Sequence, residues 1–202
     1  MRRTKEEAEA TRQSILDTAL LEFADKGYSA TKLHDIALKA GVTRGAIYWH
    51  FENKADLYLK LQDEISGETN AVIQEAIDEG GTFQDIIKRV LVRSLEYMER
   101  SERFRSFMQL IYTKTEMSPE LEEGWERKIE QGESTLQGLI GIFESARQEG
   151  QIKQDVNPRE LAFTFLALQN GAATLRIMLD ESYSLSDMAD GIANILLHGI
   201  TP

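Results

Sequence analysis

The chain has 202 residues, of which 42% are hydrophobic and 28% charged, with a net charge of −11 and no cysteine. This length and apolar content suffice to bury a core, place the chain between one domain and two, and exclude a disordered polyelectrolyte. The missing cysteine rules out disulfides, thiolate zinc sites and cysteine nucleophiles, and fits a reducing cytoplasm. The start, MRRTKEEAEATRQ, is basic but lacks the apolar stretch of a secretory signal. The most apolar run, residues 161–179, contains Thr164, Gln169, Asn170, Thr174 and Arg176, too polar for the ~20 residues of a membrane span, and it reads as a buried helix. Charge is segregated: residues 1–60 hold ten Lys and Arg against nine Asp and Glu, net +1, and residues 61–202 hold thirteen against twenty-five, net −12. An acidic body repels phosphate, but salt screens that repulsion beyond roughly 8 Å, so a locally basic end still docks on nucleic acid.

In chain order, Ile15, Leu16, Ala19, Leu20, Phe23 and Ala24 recur at helical spacing and Gly27 stops the run, which predicts a helix over Lys5–Lys26. Thr31 is positioned to cap a short second helix with the apolar set Leu33, Ile36, Ala37 and Ala40, ended by Gly41. Thr43 caps a third, Arg44 to about Phe51, in which Ile47 and Phe51 share a face. Asn53 opens a fourth with Leu57, Leu61 and Ile65 as its stripe. Farther on, Thr82 with Asp85, Ser118 with Pro119, Asn157 with Pro158 and Ser184 with Asp187 are helix-start signatures. They predict helices near 82–100, 103–112, 119–149, 158–180 and 185–198. No alternating strand pattern, repeat or low-complexity linker interrupts them, so the expected fold is all-α.

Catalysis has no candidate constellation. The three histidines include no pair three or four apart and no HExxH, so no metal site is expected, and no phosphate-binding glycine pattern follows a strand. No cofactor is expected. Instead the stretch AGVTRGAIYWHFENKADL, 40–57, sets four aromatic rings in a row, Tyr48, Trp49, His50 and Phe51. At about 100° per residue they cannot all face a core, so at least two point outward. Two short capped helices joined through a glycine turn make a helix-turn-helix, whose second helix fits a major groove about 12 Å wide. Arg44, Gly45 and Ala46 occupy the first turn, which meets base edges. Tyr48, Trp49 and His50 flank the strand backbones, and Lys54 adds a charge.

The stretch TRQSILDTALLEFADKGYSATKLHDIALKAGVTRGAIYWHFENKADL, with the preceding RRTKEEA, resembles the DNA-binding domain of the TetR family of bacterial repressors, and its AcrR-type branch in particular. The resemblance covers residues 2–60 nearly without gaps, and a weaker echo runs through ERFRSFMQLIYTKTEMSPEL. It implies a two-fold dimer of nine-helix subunits in which the first three helices bind operator DNA, the next four enclose a small-molecule pocket and the last two form the dimer interface. Residues 1–52 are then the helix-turn-helix domain and residues 53–202 the ligand-binding and dimerisation domain. Thr31, Thr43, Arg44, Tyr48, Trp49, His50 and Lys54 are the DNA contacts it implies. Ala46 departs from the family by lacking a common hydroxyl, although its methyl suits thymine. Glu52 places an acid near phosphates.

Two further sets are expected. Phe104, Phe107, Met108 and Tyr112 on a short helix, then Met117 and Trp125, with Phe143, Phe163 and Gln169 on helices that could face them, suit varied apolar ligands. On the helix near 158–180, Leu161, Phe165, Leu168, Ala172, Leu175 and Leu179 form one stripe, and the last helix offers Met188, Ile192, Ile195 and Leu196 for a four-helix interface with a second copy. The expected function is a ligand-responsive repressor of an efflux or detoxification gene, released by a small apolar or amphiphilic inducer. The alternatives are a regulator of a metabolic operon answering to fatty-acid or acyl ligands, and a helical protein-interaction adaptor.

Overall fold

A computed structural model describes residues 4–113, 119–179 and 183–201. Among them there are nine α-helices and no strand. They are α1 (Lys5–Lys26), α2 (Leu33–Lys39), α3 (Arg44–His50), α4 (Lys54–Asp78), α5 (Phe83–Arg100), α6 (Glu102–Thr113), α7 (Glu122–Gln148), α8 (Pro158–Met178) and α9 (Leu185–Ile200). A 3₁₀ turn, Pro119–Leu121, precedes α7, where the sequence predicts continuous helix. Ser118, its expected cap, lies outside the described residues. No helix among them is long and apolar enough to cross a membrane.

Local capping chemistry sets most boundaries. Thr4 and Glu7 form a reciprocal capping box on α1, as Thr82 and Asp85 do on α5. Thr43, Asn157 and Ser184 accept backbone N–H groups at the starts of α3, α8 and α9. Gly27 at φ 82° and Gly41 at φ 67° take left-handed conformations that turn the chain out of α1 and α2. The start of α2 differs from expectation. Lys32 is its N-cap with no side-chain bond, because the Thr31 hydroxyl turns inward and donates to the carbonyls of Gly27 at 2.7 Å and Glu22 at 3.1 Å.

The chain forms two compact units, residues 1–67 with 103–124, and residues 68–102 with 125–202. In the first, α1, α2 and α3 pack on one another around Ile15, Leu16, Phe23, Ile36, Ile47 and Phe51, all fully buried. Phe23, Tyr28 and Tyr58 stack with centroids 5.2–5.8 Å apart. In the second, α5 packs on α8 and α9. Its core gathers Leu91, Phe143, Ala146, Leu161, Ala162, Phe165, Ala193 and Ile200, with Phe143 between Phe83 and Phe165, each 6.1 Å away.

Part of the expected dimer stripe on α8 lies in this core. Leu161 and Phe165 are 4% exposed and belong to this core, and Leu168 and Leu196 pack against it. Ala172 and Ile192 are partly buried. Leu175 and Leu179, at the end of the stripe, are exposed, and so are Phe163, Met178, Met188 and Ile195, the last at 77%. An α8 that is apolar around most of its circumference covers one side with α5 and leaves the other in water.

Candidate nucleic-acid interface

Helix α3 is held from below and displayed above. Ile47 and Phe51, four apart, are the buried anchors, and the Phe51 N–H closes the helix on the Ile47 carbonyl at 2.8 Å. The turn between α2 and α3 is fixed by the Val42 N–H donating to Ala37 at 3.0 Å. The opposite face carries the aromatic row: Trp49 is 72% exposed, Tyr48 about half, and His50 is half-buried and edge-on to Trp49 with ring centroids 4.4 Å apart. Arg44 donates to the Tyr48 hydroxyl at 3.1 Å, and its guanidinium lies 5.5 Å from that ring centre. This i,i+4 pair holds a cation and an aromatic together on solvent. Thr43 is exposed and spends its oxygen on the Ala46 N–H at 3.2 Å, and Ala46 is partly buried.

Gly45 is exposed, and a methyl on it would meet nothing nearer than the Thr43 hydroxyl at 3.8 Å. Helix packing therefore gives no reason for glycine at this position.

Two expected contacts fall elsewhere. Thr31 is 1% exposed with its hydroxyl bonded inward, so its side chain is not on this surface. The Lys54 ammonium donates to the carbonyls of Tyr28 at 3.0 Å, Ser29 at 3.3 Å and Thr31 at 3.3 Å, and sits 4.3 Å from the Tyr28 ring centre. With all three N–H groups occupied it clasps the loop after α1 to the start of α4 rather than projecting outward. The cleft beside it, about 500 Å³, is lined by Leu33, Tyr48, Asn53, Lys54, Ala55 and Glu120, and that last acid disfavours a phosphate there.

Sequence reasoning missed Glu22, whose side chain is 2% exposed and whose carboxylate binds Lys26 at 2.7 Å and also Lys39 of α2. The hydrogen bonds from Lys26 and Lys39 hold its pKa below the ordinary 4.5. Its spacing from Lys26 was visible as a helical pair; its reach to Lys39 was not. Arg103 of α6 similarly joins Asp17 of α1 to Glu64 of α4.

The expected pocket residues divide between the two units. Phe104 and Phe107 are buried in the first unit, Phe107 against Tyr58 at 6.0 Å; Met108 is partly buried and Tyr112 exposed. In the second unit Phe143 is fully buried core, Phe163 is 66% exposed, Trp125 is partly buried, and Gln169 donates to Ser94 at 3.4 Å. Met117 lies outside the described residues. Two aromatics that sequence spacing cannot tell apart thus have opposite placements, because Phe143 faces Phe165 and Phe163 does not face that core.

A glycine-linked pair of short helices, its second helix anchored below and aromatic above, on an otherwise helical body, defines a helix-turn-helix transcriptional regulator. Residues 15–61 match the family model of bacterial regulatory proteins of the tetR family, and residues 83–201 match that of the MAATS-type transcriptional repressor C-terminal region. The chain belongs to the tetR family, whose members are regulators and not enzymes. It is similar to the HTH-type transcriptional regulator AcrR of Shigella flexneri, 42% identical over 123 residues that take in 59% of this chain and 56% of that protein. It is similar to the probable acrEF/envCD operon repressor of Escherichia coli K12, 31% identical over 205 aligned positions covering 100% of this chain and 91% of that one. Its fold is also that of NalD, the secondary repressor of the MexAB-OprM multidrug efflux pump in Pseudomonas aeruginosa, with a TM-score of 0.81, 24% identity and 98% of each chain covered.

Proposed function

We propose that the chain is a ligand-responsive repressor of a multidrug efflux operon, acting in the cytoplasm as a dimer on a palindromic operator and released by a small apolar or amphiphilic inducer. The observation that carries the reading is the display of α3, with Arg44, Gly45, Tyr48 and Trp49 outward over buried Ile47 and Phe51, on a chain similar to a probable efflux-operon repressor. In this reading residues 1–52 read DNA and residues 53–202 bind inducer and dimerise. One seven-residue helix touches too few bases for specificity, so two copies on paired half-sites are required. The exposed apolar residues Phe163, Leu175 and Met178 of α8 and Met188 and Ile195 of α9 support a partner copy as their cover.

An inducer must favour the released state about 10⁴-fold to move operator occupancy from 99:1 to 1:99. The test is operator binding, by gel shift on DNA upstream of the protein's own gene, titrated with lipophilic cations, neutral aromatics and fatty acids. Release by at least one class while the protein stays folded is expected. No release by any class leaves a constitutive repressor, and no DNA binding at all would sink the regulator reading.

A further inference from the structure

We propose that direct reading of the operator rests on one guanine in each half-site, recognised by Arg44, and that Tyr48 is the residue that positions Arg44 for it. The inference rests on the DNA-binding reading above and names the base that reading leaves open.

The first turn of a recognition helix is the part that meets base edges, and here its side chains offer a base very little. Gly45 has none, Ala46 ends in a methyl, and Thr43 spends its oxygen on the Ala46 N–H at 3.2 Å. Arg44 is exposed and is the one Lys or Arg of α3, in a turn that holds no acid. Cations close to it in sequence are engaged within the fold: Lys26 and Lys39 on Glu22, and Lys54 on the carbonyls of Tyr28, Ser29 and Thr31. Polar readout by this turn therefore falls to the Arg44 guanidinium.

Tyr48 decides how that guanidinium is presented. The Arg44 Nη2 donates to the Tyr48 hydroxyl at 3.1 Å, and the guanidinium carbon lies 5.5 Å from the ring centre, inside the ~6 Å reach of a cation–π contact. One of the guanidinium's five N–H groups is used, so a pair remains for a fork onto two acceptors. Guanine is the base that sets two acceptors, O6 and N7, side by side in the major groove; adenine and cytosine place an amino donor there, and thymine a single oxygen. A group that only donates thus selects guanine. Because the Tyr48 oxygen accepts from Arg44, its own O–H is left to donate outward, to a phosphate of the strand beside the groove. The ring that carries this hydroxyl sits next to fully buried Ile47, the anchor of α3. Holding Arg44 before DNA arrives removes rotamer freedom that binding would otherwise have to remove.

The test starts from the operator defined by footprinting DNA upstream of the protein's own gene. Each guanine of a half-site is replaced in turn by 7-deazaguanine, which keeps the Watson–Crick pair and O6 but lacks N7, and affinity is read by fluorescence anisotropy. One replacement is expected to weaken the parent protein about tenfold, the worth of one hydrogen bond from a charged donor. Arg44→Ala should bring that ratio to about one and leave the salt slope unchanged, since the lost contact is to a base. Tyr48→Phe, folded as the parent by circular dichroism, keeps the ring and should still shrink the ratio to about threefold or less, because the guanidinium regains rotamer freedom. A ratio untouched by Tyr48→Phe, with affinity for every sequence lowered alike, makes the hydroxyl a phosphate contact alone and overturns its positioning role. No guanine sensitive to the loss of N7, or a sensitivity that survives Arg44→Ala, overturns the guanine assignment, while binding of the unmodified operator keeps the regulator reading. If no upstream DNA is bound, both fall.

Discussion

The hydroxyl of Tyr28 donates to the carboxylate of Glu120 at 3.0 Å, tying the loop after α1 to the 3₁₀ turn ahead of α7 across ninety-two positions of sequence. Burial of Tyr28, and then the acid beside it, push the phenol well above its ordinary pKa, so it donates at every working pH. Around it Leu121 is buried, and a Cβ on Gly124 would meet the end of the Leu59 side chain. Tyr28→Phe keeps the ring and removes its bond to an exposed carboxylate, which water then solvates, at a cost of about 0.5–1.5 kcal/mol. Faster amide exchange at Leu121 than in the parent protein is the expected signature, and unchanged exchange would mean that the turn is held by Leu121 alone.

Gly45→Ala separates folding from recognition. The added methyl meets only the Thr43 hydroxyl at an ordinary distance, and alanine favours a helix by up to about 1 kcal/mol. Melting temperature should hold or rise while operator affinity falls roughly tenfold or more, as one lost hydrogen bond or displaced backbone contact implies. Undiminished affinity would show that no DNA backbone approaches this position.

Lys54→Met removes the clasp on Tyr28, Ser29 and Thr31. About 1–2 kcal/mol of stability is at stake for a partly buried charged donor, or roughly 2–8 °C in melting temperature for a chain of this size. A melting temperature equal to the parent's would return Lys54 to the phosphate contacts expected from sequence.

The dimer is best tested on the exposed face. Leu168 packs against the core, so a charge there would damage the subunit itself. Ile195, 77% exposed on α9, accepts Glu without disturbing that core. Ile195→Glu should sediment as a folded monomer of 22.9 kDa with operator affinity lost. A dimer that persists would move the interface off this face.

Acid should loosen the helix-turn-helix through Glu22. Its pKa is lowered by the Lys26 and Lys39 hydrogen bonds, so the contribution is complete above the ordinary value of 4.5 and is lost as pH falls through the lower folded value. Glu22→Gln should lower the melting temperature at pH 7 and flatten its decline between pH 5 and about pH 3. Parallel declines in the two proteins would place the acid sensitivity elsewhere.

The sequence alone determined whatever is local. Lys5–Lys26 emerged at full length because its stripe, its left-handed Gly27 stop and its capping neighbours lie within a few residues of one another. Thr43, Thr82, Asn157 and Ser184 were readable as caps for the same reason, and Ile47 and Phe51 had to turn inward because a seven-residue helix has only one face to bury. Only the tertiary structure decided which side of α8 meets α5, burying Leu161 and Phe165 and leaving Phe163 in water, since a helix apolar on several faces names no partner for any of them. It alone turned Thr31 inward, spent Lys54 on a loop twenty-six residues away and set Glu22 against Lys39. A hydrogen bond or ion pair forms with whatever folding brings within about 3 Å, and sequence spacing carries that information only inside a single helix.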